Sequence, residues 1–282
     1  MPLRIFNNIS SLNAQRVLEL NRSRLGRSIT RVASGKRITR SADDSAGMAI
    51  SQSLRSSVAT MKQGARNLAD GISMINAADG ALSVQAGILI RTRELASQAA
   101  TGTIGQPERE TINLEFQALL SELNRIGETQ EFNGQKLIDG SLSATASKTV
   151  ILQIGNSSAA VNRFNLNKEI NLTAVTTEGL GIAGLSALSQ RDAVNAMGAL
   201  VRAVDQLNLI RGRVGAMQNR AVRALNNINV SIVGLTSAVA TINDTDVAAE
   251  LAELTRNQIL VQAGAAMIGQ SNITPQAVLS LL

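Results

Sequence analysis

The chain reads as a mainly α protein, with long antiparallel helices packed into a coiled-coil or bundle rod and one small β-hairpin region in the middle. A 3,4-spaced apolar pattern runs almost to the last residue: Met197, Leu200, Val204, Leu207, Arg211, Val214, Gln218, Ala221, Leu225, Ile228, Ile232, Leu235, Val239 and Ile242. After Asn243-Asp244-Thr245-Asp246 it resumes as Val247, Leu251, Leu254, Gln258, Val261, Ala265 and Ile268. Such spacing keeps one stripe on one side of an α-helix. None of the three prolines falls in these runs, and a helix over 197–242 rises about 69 Å at about 1.5 Å per residue. A rod of that length must lie against other rods.

Each element follows from local signals. Residues 4–34 form a helix with Leu18, Leu25, Ile29 and Val32 on one face, closed by Ser34-Gly35 in the usual C-terminal glycine pattern. Lys36 to Asp43 is a connector, and Asp43 and Asp44 are placed to cap the next helix. The 3,4 pattern returns at Leu54, Val58, Met61, Ala65, Leu68, Ile72, Ile75, Asp79, Leu82, Ala86, Leu89, Arg93 and Ala96, giving a second long rod that ends near Ala100. Pro107 opens a shorter helix through Ile112, Phe116, Leu119, Leu123 and Ile126, ending at Gly127. Phe132-Asn133-Gly134-Gln135 and Asp139-Gly140 are turn signals. A β-hairpin is expected at about 148–172, and a Gly-, Ser- and Thr-rich surface loop at 173–192. Polar residues on the stripes (Asp79, Arg93, Arg211, Gln218) have two readings: solvated at the edge, or hydrogen-bonded across to another helix to set register.

The composition excludes much chemistry. The chain has no cysteine and no histidine, which removes disulfides, thiolate metal sites, Ser-His-Asp and Cys-His arrangements and the usual zinc sets. No catalytic, cofactor or metal residue is assigned. Four Phe are the only aromatics, which suits interdigitated helices better than a ligand pocket. No uninterrupted apolar run of transmembrane length and no secretory signal stand in the sequence, so neither a membrane nor a cleaved leader is expected. Residues 1–40 carry nine basic groups against Glu19, and 242–282 carry four acidic groups against Arg256. Opposite charge on two amphipathic ends suggests that they pair. Without aromatic interleaving, the basic run is read as solvated or pore-lining and not as a nucleic-acid or membrane contact.

Several ordered motifs then agree with a known family. Asn8-Ile9-Ser10-Ser11-Leu12-Asn13-Ala14-Gln15-Arg16, Ser34-Gly35-Lys36-Arg37-Ile38, Ala42-Asp43-Asp44-Ser45-Ala46-Gly47-Met48-Ala49-Ile50-Ser51, Arg66 to Ser73 and Phe132-Asn133-Gly134 closely resemble bacterial flagellins. So do Gly215 to Arg220, Leu254 to Leu260, Ala263 to Met267 and Gln276 to Leu282. The resemblance covers roughly 4–140 and 195–282. One departure is Val247, where the family often has an aromatic after the Asp-Thr-Asp break.

The resemblance implies a minimal filament subunit without large central surface domains. Residues 1–40 with 243–282 would form the inner coiled-coil domain, and 41–242 the outer-tube domain. Self-assembly would draw on Leu18, Leu25, Ile29, Val32, Val247, Leu251, Leu254, Val261 and Ile268, in ends that fold on assembly. The implied partners are the chain itself, the flagellar export apparatus, a chaperone binding the C-terminal helix, and the filament cap and hook-junction proteins. Export through the flagellar channel without a cleaved signal would place it in the extracellular filament. Arg91, Leu95 and Glu115 match positions that some members present to a Toll-like innate immune receptor. A hook–filament junction protein is the alternative reading. An enzyme carried on the filament lacks the histidines and the length, and a basic coiled-coil nucleic-acid binder is testable by salt-dependent gel shift.

Overall fold

A computed structural model describes the backbone of residues 8–279 and the side chains of residues 8–273. The positions of residues 4–7, expected to open the first helix, lie outside the described residues. The elements in order are α1 (Ile9–Ser34), α2 (Ser45–Ala99), α3 (Gln106–Thr129), β1 (Glu131–Phe132), β2 (Gln135–Lys136), β3 (Ile151–Gln153), β4 (Arg163–Asn165), α4 (Leu166–Ile170), α5 (Gln190–Asn243) and α6 (Val247–Leu279). Two compact units are formed. One comprises residues up to Ser57 with those from Gly234 onward, and the other Val58–Val233.

The core of the second unit is built on rows of residues seven apart. On α2 these are Leu68, Ile75, Leu82, Leu89 and Ala96, and on α5 Leu200, Leu207, Val214 and Ala221, all buried. The companion rows lie one residue away from the expected ones. Gly71, Ala78, Gln85 and Thr92 are buried on α2, where Ile72, Asp79, Ala86 and Arg93 were expected. Ala196, Ala203, Ile210 and Met217 are buried on α5, where Met197, Val204, Arg211 and Gln218 were expected. A row of period seven has neighbours at both +3 and +4, and burying an unpaired charge at Asp79, Arg93 or Arg211 is far costlier than burying Ala78, Thr92 or Ile210. Arg211 and Gln218 instead sit at the rim and reach across to α2. Arg211 Nε lies 3.5 Å from Asp79 Oδ1, and Gln218 Nε2 donates to Asn76 Oδ1 at 2.8 Å.

α3 continues two residues past Gly127, the expected terminus. That glycine is buried inside the helix, and a Cβ there would stand 2.8 Å from the carbonyl oxygen of Val175. It marks a close approach of the 175 segment. The buried Gln85 amide ties the same three pieces together, donating to the carbonyls of Leu123 at 3.1 Å and Val175 at 2.9 Å.

The middle of the chain is shorter in strand and better packed than expected. β1 and β2 pair antiparallel around Asn133 and Gly134, both at positive φ (50° and 72°), as a two-residue hairpin turn requires. β3 pairs antiparallel with β4 over three residues each, with Leu152 opposite Phe164. The hairpin expected at about 148–172 is therefore cut short by α4, which the Asn165 side chain caps by accepting from Lys168 N. Gly64 and Gly71 of α2 admit this hairpin, since Cβ atoms there would meet Ile154 O and Leu152 Cδ1. Residues 173–192 are not a simple surface loop: Val175, Leu180, Ile182 and Ala187 are buried in the core. Glycine and serine content concealed an apolar residue every few positions, which covers the open side of the helices. Arg220 fastens the hairpin from α5, 4.9 Å above the Phe164 ring and 2.6 Å from Glu169 Oε2.

One 18-residue window of α5 has a mean hydropathy of 1.3, apolar enough by length and composition to cross a membrane, and none of that window is buried. The helix is 54 residues long, far beyond the roughly 20 a bilayer needs.

Gly127→Ala should lower the thermal midpoint by overpacking at Val175, costing about 1–3 kcal/mol. Gly87→Ala, where a Cβ meets nothing within 4 Å, should raise stability by up to about 1 kcal/mol. Paired melting curves check both signs.

Candidate assembly surface

The first unit holds the two terminal helices, the turns that join them to α2 and α5, the start of α2 up to Ser57 and the end of α5 from Gly234. α1 starts at Asn8, whose side chain accepts from Ser11 N at 3.1 Å, and ends at Gly35, left-handed at φ 67°. α6 starts behind Asp246, whose Oδ1 accepts from the backbone N of Ala248 and Ala249. These caps satisfy donors that the first turns leave unpaired. α1 and α6 run antiparallel, as four contacts at successive levels show. Asn8 Nδ2 donates to Ser271 O at 2.9 Å. Leu18 faces Gly264, where a Cβ would stand 3.2 Å from Leu18 Cδ1. Asn257 Nδ2 lies 3.4 Å from Ser28 Oγ, and Arg31 Nη1 lies 3.8 Å from Glu250 Oε2.

A backbone clasp closes the far end. Arg37 N donates to Asn243 O at 2.7 Å and Thr245 N to Gly35 O at 3.1 Å, with Lys36 bridged antiparallel to Asp244. Arg37 reinforces it, donating through Nη2 to Ile242 O at 2.9 Å and lying 3.6 Å from Asp44 Oδ2. The two expected capping aspartates have different jobs. Asp44 Oδ1 accepts from Gly47 N at 2.8 Å and caps α2. Asp43 instead holds the connector, its Oδ2 accepting from Thr39 N, Thr39 Oγ1 and Arg40 N. The Thr39 hydrogen bonds come first among the causes that hold the Asp43 carboxyl below its ordinary value.

The seam between α1 and α6 carries little apolar surface. Leu18 is buried, and Leu25, Val32, Leu254, Val261 and Ile268 are half-buried, so these six expected residues line it. Ile29, Val247 and Leu251 do not: they are 50%, 48% and 45% exposed. As in the second unit, the companion row is displaced by one. Ser28 stands in the seam where Ile29 was expected, and Asn257 and Gly264 where Gln258 and Ala265 were expected. Ser11 and Asn21 are buried with them, and the reading from apolar spacing missed these polar and small seam residues. The signal that could have found them is their own spacing, seven apart from Asn21 to Ser28 and from Asn257 to Gly264.

Among the described residues, this unit buries only two large aliphatic side chains, Leu18 and Ile38, and exposes thirteen large apolar ones. On α1 they include Ile9, Leu12, Val17 and Leu20, and on α6 Ile259, Leu260, Met267 and Ile273. From Asn257 onward α6 carries no charged residue. A helix apolar on several sides is ordinarily buried, and clustered exposed apolar residues mark an interaction surface.

The Arg91, Leu95 and Glu115 set is not a common surface. Arg91 and Glu115 are exposed and paired, Nη2 to Oε1 at 2.9 Å, whereas Leu95 is 2% exposed and belongs to the core. Period-seven spacing puts Leu95 on a row with Met74 and Ala81, both buried.

Because the Asp43 carboxyl is held low, its contribution to the connector is complete above about pH 4, the unfolded carboxylate range, and is lost as pH falls through the lowered folded value. Asp43→Asn should remove this acid-dependent component, read as a flatter dependence of the thermal midpoint on pH below about 4. Gly35→Ala should destabilise the clasp by about 1–2 kcal/mol through its left-handed backbone, read by protease sensitivity of α6.

Comparison with known proteins agrees with this architecture. The bacterial flagellin N-terminal helical region matches residues 5–143, and the bacterial flagellin C-terminal helical region matches residues 197–282. The flagellin of Halalkalibacterium halodurans is 38% identical over 99% of both chains. The flagellar filament 30.7 kDa core protein of Treponema maltophilum is 34% identical over 99% of both. Flagellin of Bacillus subtilis is 35% identical over 99% of this chain and 100% of its own. These names favour the filament over the junction-protein alternative. The chain belongs to the bacterial flagellin family and is a structural subunit of a flagellar filament.

Proposed function

We propose that the chain assembles head-to-tail into an open helical filament, and that α1 and α6 take their final packing only against neighbouring copies. The observation that carries this is the inverted distribution of apolar side chains in the terminal unit: a seam of Ser11, Asn21, Ser28 and Asn257 inside, and Ile9, Leu12, Leu20, Ile259, Met267 and Ile273 outside. Each ordered residue costs on the order of 1–2 kcal/mol of backbone entropy, and apolar burial returns about 25 cal/mol per Å². With two large aliphatic side chains buried, the unit gains little alone and much when its outer faces are covered.

In this reading the nine sequence-identified positions divide into two sets. Leu18, Leu25, Val32, Leu254, Val261 and Ile268 join α1 to α6, whereas Ile29, Val247 and Leu251 face other copies. Residues 1–40 with 243–282 act as the inner domain and 41–242 as the outer one. Marginal ends suit passage through an export channel in an unfolded state, with a chaperone covering the part of α6 from Asn257 onward, which carries no charge, before release. The export apparatus, filament cap and hook-junction proteins are the further partners, and the role is structural and not catalytic.

Seeded polymerisation of purified chain, followed by electron microscopy, tests the assembly. The full chain should extend seeds and a truncation lacking 247–282 should not; extension by the truncation would refute the role given to α6. Ile259→Asp, at a side chain 60% exposed, should leave monomer helicity unchanged and reduce elongation at least tenfold. Unaltered elongation would remove that face from the interface.

A further inference from the structure

A cleft of about 330 Å³ opens in the first unit beside the clasp. That is the lower end of the roughly 300–1,000 Å³ that small-molecule sites span. Its walls come from the end of α1, the connector, α2 and the last turn of α5. On α2, Met48, Gln52 and Arg55 follow the 4,3 spacing of one helix face. Lys36 and Ile38 of the connector and Asn243 of α5 stand around them. Ile38, which is buried, and Met48 supply apolar surface.

The polar lining is cationic and rich in donors. Lys36 and Arg55 are exposed and make no ion pair among the described residues. No lining residue is acidic. The carboxylates closest in the chain are engaged elsewhere: Asp43 accepts from Thr39 and Arg40, and Asp44 accepts from Gly47 and lies near Arg37. Asp244 is exposed and meets Lys36 through a backbone bridge. Asn243 is 6% exposed, and its Nδ2 is buried without a hydrogen-bond partner. Leaving a buried donor unmatched is costly, and an acceptor seated in the cleft relieves that cost.

We infer that this cleft binds a small phosphate-bearing anion, held by Lys36 and Arg55 with Asn243 and Gln52 donating to its oxygens. A guanidinium presents a planar fork that matches phosphate oxygens, and an ammonium adds a compact charge. Ile38 and Met48 leave apolar surface for whatever the phosphate is attached to. Lys36 and Asn243 belong to the clasp and Arg55 to α2, so the bound anion braces the clasp against the start of α2. A ligand held only by the folded state stabilises it by mass action. The cleft lies within one chain and is independent of the filament reading.

Isothermal titration of the purified full chain with inorganic phosphate, and separately with glycerol phosphate, tests the site against chloride at matched ionic strength. Saturable one-to-one binding in the millimolar range or tighter is expected. Tighter binding of the ester identifies a small organic phosphate as the occupant, and equal binding identifies free phosphate. Saturation by neither overturns the inference. Arg55→Gln and Gln52→Glu, both at exposed positions, should keep the parental helicity by circular dichroism and weaken binding at least fivefold. Parental affinity in both variants overturns the site. Phosphate should also slow proteolysis of α6 at least twofold in the parent and leave it unchanged in Arg55→Gln. An unchanged rate in a parent that binds phosphate overturns the bracing role.

Discussion

A row of aliphatic residues seven apart runs along each long helix, and no single helix can bury it. What lies beside that row decides the packing. In each of α1, α2, α5 and α6 the companion position is taken by the small or uncharged neighbour, as with Ser28, Ala78, Ile210 and Asn257. The charged or bulkier neighbour is left at the rim or exposed: Ile29, Asp79, Arg211 and Gln258. In α2 and α5 desolvation makes this choice; in α1 it does not, since Ser28 is buried and Ile29 exposed. An ion pair such as Arg211–Asp79 stays partly solvated and contributes less than about 1 kcal/mol, while the same groups buried and unpaired would cost several times more.

That choice has opposite consequences in the two units. Between residues 58 and 233 the seam is rich in Leu, Ile and Ala, and a third helix and the irregular segment around Val175 and Ile182 seal it. Between α1 and α6 the same geometry brings together serine, asparagine and glycine. The pair is located by caps, the Arg37–Asn243 clasp and a few polar contacts, and its larger apolar residues remain outside. A unit held in register but poorly buried is well suited to complete its folding against copies of itself.

Much of this was legible in one dimension. The helical class, the two long rods, the start of α3 one residue before Pro107, the Asn133-Gly134 turn and the pairing of the ends all follow from period, punctuation and charge. Six of the nine expected assembly residues lie in the α1–α6 seam. Less legible was anything that depends on a surface from elsewhere in the chain. Gly127 resembles a helix stop but accommodates Val175. Residues 173–192 resemble a loop but supply core. Leu95 resembles a contact residue but is interior.

The sequence by itself determined the long helices, the spacing of the apolar rows and the absence of histidine and cysteine chemistry, because these depend on composition and on neighbours a few residues apart. Tertiary structure alone decided which side of each row faces inward, and hence that Ile29, Val247 and Leu251 are turned out while Asn257 and Gly264 are turned in. The reason is geometric. Positions three and four residues away flank a helical row almost symmetrically, so only the helix packed against it, and the desolvation it imposes, can choose between them.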